Sequence, residues 1–266
     1  MDNELRKLQL VELELLDEFV RICDKYNLTY YLAYGTLLGA VRHKGFIPWD
    51  DDLDVVMPQQ DYVTFCNVVR KEVDSIRFTF QDTNDKNNPL FSAKLRRNGT
   101  IYTSKKLLRL KMEHYGCWID IFRMDNVNNP KSILFWGQYL FHYLNPVIFH
   151  RALIDLNGLS FARKFVHYCS CILSLKQWND LRDKVFMACK NNESKYIAVF
   201  GTPYSPKKEI RLRKAFGIPN KIEFEGKMYN APADYDYVLK CSYGDYMKLP
   251  PIESRQPSHF ADVWEI

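Results

Sequence analysis

The chain has 266 residues, 47% of them hydrophobic, and carries 37 basic against 32 acidic side chains, a net charge of +5. That length suits one large domain, or one domain with an appended part, and leaves ample apolar material for a core. The charge excess is too small for a nucleic-acid-binding surface, yet compatible with an anionic substrate or membrane face.

The N-terminal MDNELRKLQL is charged and amphipathic, unlike a signal peptide. Leu8, Val11, Leu15, Phe19, Ile22 and Tyr26 recur at three- and four-residue steps, predicting an amphipathic helix that ends near Asn27. Thr29 to Ala33, β-branched and aromatic, predicts a short strand. It leads to Gly35-Thr36, read as a turn where glycine lets the backbone approach a phosphate and Thr36 offers a hydroxyl. Residues 37–42 predict a short helix whose N-terminal N–H groups favour phosphate. Arg42, followed by His43 and Lys44, is a forked donor for phosphate oxygens. A stiff turn, Gly45 to Trp49, then aims the run Asp50, Asp51, Asp52 and Asp54.

A strand over 53–57 puts Asp52 and Asp54 on one face, because strand side chains alternate. Adjacent carboxylates resist joint ionisation unless a cation sits between them. A hard divalent ion, magnesium before manganese, meets that need with oxygen ligands shared between carboxylates and phosphates. Asp50 and Asp51 bind such an ion through water, orient Arg42 or cap the turn; the residues alone do not choose.

Pro58 to Val73 predicts a helix and Arg77 to Gln81 a strand. Residues 90–97 and 100–103 flank Asn98-Gly99, a β-hairpin signal, with Lys94 turned away from Ala93 and Leu95 towards substrate phosphate. Ile119 to Phe122 is a strand that carries Asp120, whose buried carboxylate needs a partner. Ser132 to His150 has no formal charge and predicts a buried or interfacial helix with a break at Pro146. Helices over 159–173 and 177–189 follow, then a strand near 195–200, a basic helix over 207–216, a hairpin at Gly226 and a helix over 233–243. The tail carries Arg255 and His259, either able to steady phosphate or acceptor. Seven scattered cysteines without a Cys-x-x-Cys pair predict single buried thiols in a reducing compartment.

The string YYLAYGTLLGAVRHKGFIPWDDDLDV resembles the opening of the LicD family, phosphocholine and related phosphotransferases with fukutin and fukutin-related protein as distant relatives. The likeness recurs in Gly116-Cys-Trp-Ile-Asp120-Ile-Phe122, Phe224-Glu-Gly226, Tyr243-Gly-Asp-Tyr246 and Leu249-Pro-Pro251, and lapses over roughly 130–191. It implies an α+β fold, a nucleotidyltransferase-like mixed β-sheet flanked by helices with a helical insert. The divisions would be a core over 1–129, the insert over 130–194 and a closing segment over 195–266. Asp120 would complete the metal site with Asp52 and Asp54, or accept the proton of the attacking hydroxyl. Gly35, Thr36 and Arg42 would cradle a diphosphate.

The implied donor is CDP-choline, or a related CDP-alcohol such as CDP-ribitol or CDP-glycerol. The implied acceptor is a sugar hydroxyl on a carrier-linked glycan of lipopolysaccharide, teichoic acid or capsule, with CMP released. Tyr31, Tyr34, Trp49, Trp118, Tyr235 and Tyr237 are open candidates for a choline cage. The implied location is cytoplasmic, with peripheral contact at the inner membrane face. Rival readings are a nucleotidyltransferase proper, which would release pyrophosphate, and a non-catalytic glycan-assembly partner.

Overall fold

The computed structural model describes residues 3–83, 85, 92–153, 156–190, 192, 194–202, 204–257 and 261–266. His259 lies outside them. The expected stripe forms helix α1 (Asn3–Lys25), which buries Leu8, Leu15, Leu16, Phe19 and Ile22. Asn27, at φ 52°, ends its run. Next come β1 (Tyr31–Leu32), α2 (Tyr34–His43), β2 (Asp54–Pro58) and α3 (Gln59–Glu72). The chain continues with β3 (Phe78–Gln81), β4 (Ala93–Arg97), β5 (Ile101–Thr103), a short α4 (Lys105–Leu108) and β6 (Trp118–Asn126). The main sheet runs β1-β2-β6-β4-β3. Only β2 and β6 pair in parallel along this path; the others are antiparallel, which makes the sheet mixed as expected. Helices α1 and α3 pack against this sheet and each other. Phe19 joins them, with its ring centroid 5.0 Å from Phe65 and 5.3 Å from Tyr30.

The Asn98-Gly99 hairpin does not form. Strand β4 pairs with β3 and β6, while β5 pairs with β11 (Val263–Glu265) from the tail. The Asn98 carboxamide holds residues 75–79 instead, donating to the Ser75 and Ile76 carbonyls and accepting from the Thr79 hydroxyl. The turn residues are thus committed to β3, and β5 is left to take its partner from far along the chain.

Beyond β6 lie α5 (Ile133–His150), α6 (Phe161–Ser170) and α7 (Leu175–Phe186). Helix α5 continues through Pro146 without the expected break. Its buried side chains, Gln138, His142 and Asn145, bond to loose backbone of the main body. Gln138 Nε2 donates to the Asn126 and Phe186 carbonyls, and His142 Nδ1 lies 3.0 Å from the Phe200 carbonyl. These anchors on the turns before and at Pro146 hold the helix in place past a residue that lacks an N–H.

The chain rejoins the sheet through β7 (Tyr196–Ala198), which pairs with the end of β6. The helix expected over 207–216 is only α8 (Pro206–Glu209), followed by β8 (Arg211–Leu212) and a 3₁₀ turn. Edge pairing of Arg211 and Leu212 with β7 overrides the local helical bias. A hairpin of β9 (Asn220–Phe224) and β10 (Lys227–Ala231) follows, then α9 (Tyr235–Tyr243). Its tip, Glu225 and Gly226, has positive φ at both positions, the geometry that matches strand twist. All seven cysteines are free thiols, but only Cys23, Cys117 and Cys189 are buried; Cys66 and Cys169 are half-buried, and Cys171 and Cys241 exposed.

This hairpin explains the Phe-Glu-Gly string. The Glu225 carboxylate accepts from the Phe46 N–H and pairs with Arg6 at 2.7 Å, and its own N–H donates to the Lys44 carbonyl. The tip therefore clamps the loop between α2 and β2. Gly39 lies under the same loop, where a Cβ would sit 2.5 Å from the Gly45 carbonyl oxygen. Backbone cannot yield cheaply, so Gly39→Ala should cost about 1–3 kcal/mol. Thermal unfolding of the variant checks this; an unchanged midpoint would show that the loop is free to move.

Candidate active site

The sheet brings three of the candidate side chains into one row. Asp54 opens β2 and stands opposite Asp120 in the parallel β2–β6 register. Lys94 of β4 stands opposite Asp120 on its other side. All three are buried. Lys94 Nζ lies 2.6 Å from Asp120 Oδ1. The Ser92 hydroxyl donates to the same oxygen, and Trp118 Nε1 donates to Oδ2 at 2.8 Å. Lys94 also stacks over the Trp118 ring, 4.5 Å from its centroid. Asp120 thus has the partner its burial requires.

The electrostatics differ along the row. Burial, then the charges on Asp52 and Asp120, push the Asp54 carboxyl well above its usual range. Burial acts the same way on Asp120, but the charge of Lys94 and bonds from Lys94, Ser92 and Trp118 outweigh it and keep that carboxyl low. Burial lowers Lys94, against the pull of Asp120. Glu12 of α1 is fully enclosed beside the acidic run, and burial followed by the charges of Asp52, Asp50, Asp51 and Asp54 pushes it far up. One oxygen of Glu12 has no hydrogen-bond partner among the described residues.

Gly35 and Thr36 lie within the first turn of α2, not in a turn preceding it. Helix formation begins at Tyr34, held at φ 43°, a strained value for a side chain of that size. Thr36 Oγ1 accepts the Asp54 N–H at 2.8 Å, which fixes the start of β2 against the helix and leaves the hydroxyl proton available. A Cβ on Gly35 would sit 2.6 Å from Asp50 Oδ2. Here the obstacle is the end of one side chain. Gly35→Ala should therefore leave the unfolding midpoint nearly unchanged while shifting Asp50 and lowering turnover roughly ten- to a hundredfold. Equal turnover in the variant would remove Asp50 from the site.

The other acidic residues divide. Asp51 is buried and accepts the Tyr102 hydroxyl at 3.0 Å. The Asp50 carbonyl accepts from Gln9 Nε2. Arg42 sits at the opposite end of α2, bonded to the Tyr246 carbonyl at 3.0 Å and to His43. Burial, then nearby Arg255, lowers its guanidinium, while Asp50 acts in the opposite sense. Arg42 and Arg255 thus form a second positive group beside Asp50, apart from the Lys94 row.

An aromatic wall completes the surroundings. The Tyr34 hydroxyl donates to buried Glu209 at 2.9 Å, and the Tyr34 ring lies 5.8 Å from that of Tyr204. Burial, with added repulsion from Asp54, Asp52 and Asp50, raises the phenols of Tyr204 and Tyr243. Of the six cage candidates, Tyr34 and Trp118 stand at the carboxylates, whereas the Tyr31 hydroxyl is bonded to the Gly217 carbonyl.

Sequence reasoning missed Glu12, Ser92, Tyr204, Glu209 and Tyr243. Glu12 did leave a signal: it interrupts the apolar series Leu8, Leu15, Phe19 at a buried helical step. The others are joined only by the fold.

Among the described residues, no three His, Cys, Asp or Glu side chains converge tightly enough to hold an ion unaided. Lys94 is already paired with Asp120. The donor chemistry still fits a hard divalent ion, since Asp54 is a buried carboxyl beside Asp52 that stays raised although Lys94 pulls the other way. Magnesium usually needs only one or two carboxylates, with phosphate and water completing its shell.

The family model described as LicD/FKTN/FKRP, nucleotidyltransferase domain, matches residues 27–168, more than half of the chain. The chain belongs to that family. The matched stretch includes Gly35, Thr36, all the candidate aspartates and Lys94. This LicD-family chain is 29% identical to the lipopolysaccharide cholinephosphotransferase LicD of Haemophilus influenzae, over 98% of its own length and 97% of that protein's. It is also 41% identical over 56 residues to an uncharacterized protein of Rickettsia typhi, an alignment covering 21% of the chain and 18% of that protein.

Proposed function

We propose that this transferase of phosphate-containing groups moves phosphocholine from CDP-choline to a hydroxyl of a carrier-linked surface glycan, in the first place lipopolysaccharide, and releases CMP. The observation that carries the reading is the row Asp54, Asp120 and Lys94 beside the N-terminus of α2. Similarity to a cholinephosphotransferase over nearly the full length of both chains supports the choice of donor.

Phosphoryl transfer asks mainly for positioning and charge neutralisation. Lys94 offers a fixed positive charge for phosphoryl oxygens, held in place by Asp120 and the Trp118 ring. The first N–H groups of α2, with the Thr36 hydroxyl, take the diphosphate oxygens. Arg42 and Arg255 lie on the Asp50 side, suited to the nucleotide's remaining phosphate. Asp52 and Asp54, with Asp120 beside them, would hold Mg²⁺, or Mn²⁺ in its place, which when bound neutralises charge developing on the transferred group. Both Asp120 oxygens already accept hydrogen bonds, which favours fixing charge over taking a proton.

The acceptor oxygen bonds to the phosphorus that carries choline as the bond to the CMP oxygen breaks, and the hydroxyl proton passes to the departing CMP or to water. Tyr34, Tyr204 and Tyr243 supply ring faces that attract a quaternary ammonium. A reducing, cytoplasmic setting fits the seven free thiols.

Phosphorus NMR of a reaction with CDP-choline and glycan acceptor tests the reaction type. CMP together with a new phosphodiester is expected. Release of pyrophosphate from a nucleoside triphosphate, with CDP-choline inert, would replace this reading by nucleotidyl transfer.

A further inference from the structure

Helix α5 carries apolar side chains on both faces, and buries Phe141 and Ile148 together with polar groups. Its polar side chains Gln138, His142 and Asn145 face inwards, while Ile133, Trp136, Leu140 and Tyr143 face solvent, Ile133 at 85% exposure and Trp136 at 60%. These four recur at steps of three, four and three residues, so they form one stripe. Neighbouring α6 likewise exposes an apolar stripe. Phe161, Phe165 and Tyr168 lie one turn apart on one face, and all are exposed, Phe161 at 86%. The inward side of α6 carries Lys164, His167 and Ser170. Arg151 ties the two helices, donating to the Ser170 and Leu173 carbonyls.

A monomer in water gains nothing by exposing two apolar helix faces side by side while burying amides and an imidazole; such a patch marks a docking surface. We infer that the α5–α6 face lies on an anionic lipid bilayer. Charge decides for the bilayer over a second copy of the chain. Residues 130–174 hold four basic residues, Lys131, Arg151, Arg163 and Lys164, against the single acidic Asp155, and the two basic residues that are exposed, Lys131 and Arg163, leave the outward face positive. Two copies meeting here would bring like charges together, whereas anionic headgroups complement them. Trp136, Tyr143 and Tyr168 have the apolar body and polar edge that suit the headgroup boundary. No helix among the described residues is long and apolar enough to cross a membrane. The face therefore rests in the interfacial plane.

Flotation of the full chain with vesicles tests this. Vesicles of phosphatidylglycerol and phosphatidylethanolamine should carry the protein, and phosphatidylcholine vesicles should carry at least tenfold less. Trp136→Ser with Phe165→Ser should lower binding to the anionic vesicles at least tenfold, with unchanged thermal unfolding and unchanged CMP release from soluble donor and acceptor. Lys131→Glu with Arg163→Glu, both at exposed positions, should do the same in low salt. No flotation with anionic vesicles, or flotation that neither variant weakens, overturns the inference. A dimer in sedimentation that Trp136→Ser with Phe165→Ser dissolves, without vesicle binding, assigns the face to a second copy instead. The inference does not depend on the donor: failed CMP release with intact flotation would count against phosphocholine transfer alone.

Discussion

Replacing Asp54 by asparagine is expected to lower turnover at least a thousandfold, about 4 kcal/mol of transition-state stabilisation, and to leave the protein at least as stable as before. The two halves share one cause. Asp54 is buried next to Asp52 and Asp120, and its carboxyl is pushed well up by burial first and their charges second. An acid whose pKa is higher folded than unfolded costs stability while ionised. That cost is fully present above the folded pKa and fades as pH falls through it towards the unfolded value of about 3.9. Asparagine keeps the shape and removes the charge. The variant's unfolding midpoint, measured without divalent ions, should therefore match or exceed the native one at neutral pH, and the gap should close in acid. Added magnesium should stabilise the native chain and not the variant. Unchanged turnover would remove Asp54 from the chemistry, and a large fall in stability would show that its role is structural.

Lys94→Met should have the opposite balance, losing both activity and stability. Lys94 Nζ and Asp120 Oδ1 are 2.6 Å apart and both side chains are about nine-tenths buried. Removing one partner leaves the other charge enclosed, which typically costs about 3–5 kcal/mol. Methionine keeps the stem that packs on Trp118, so the loss reports the charge rather than a cavity. Restoring neutrality with Asp120→Asn in the same chain should recover most of the stability and none of the activity. Denaturant unfolding of both single variants and the pair gives the coupling directly. Purely additive losses would mean that the two groups act independently.

The parts of the site that could be read from the sequence are those with a local pattern. Asp54 enters an apolar run and Asp120 stands alone inside another, so a strand placed both before any pairing was known, whereas Asp52, expected on the same strand face, precedes β2 and lies outside it. That Asp54 and Asp120 share a register, with Lys94 on the far side, depends on the order β2-β6-β4, which no local pattern encodes. The Asn98-Gly99 turn shows the limit from the other side. Its local chemistry suits a hairpin, yet the carboxamide is used to pin the β3 entrance, and β5 finds β11 some 160 residues later in the chain. Tyr204 and Tyr243 reach the carboxylates only because α8 and α9 return to α2. In α5 the composition predicted an apolar helix, but not which face would be buried. Gln138, His142 and Asn145 settle that by satisfying backbone carbonyls that water cannot reach.

The central claim is that the Asp54 row, with magnesium, receives a CDP-linked alcohol. Calorimetric titration tests it most directly, with CDP-choline, CDP-ribitol, CDP-glycerol and CDP added to the native chain, each with and without magnesium. The account predicts binding of CDP-choline that strengthens with magnesium, exceeds that of the other three ligands, and loses its magnesium dependence in Asp54→Asn. Preference for CDP-ribitol or CDP-glycerol would keep the mechanism and contradict the choline assignment. Absence of binding to all four by a folded chain would contradict the account itself.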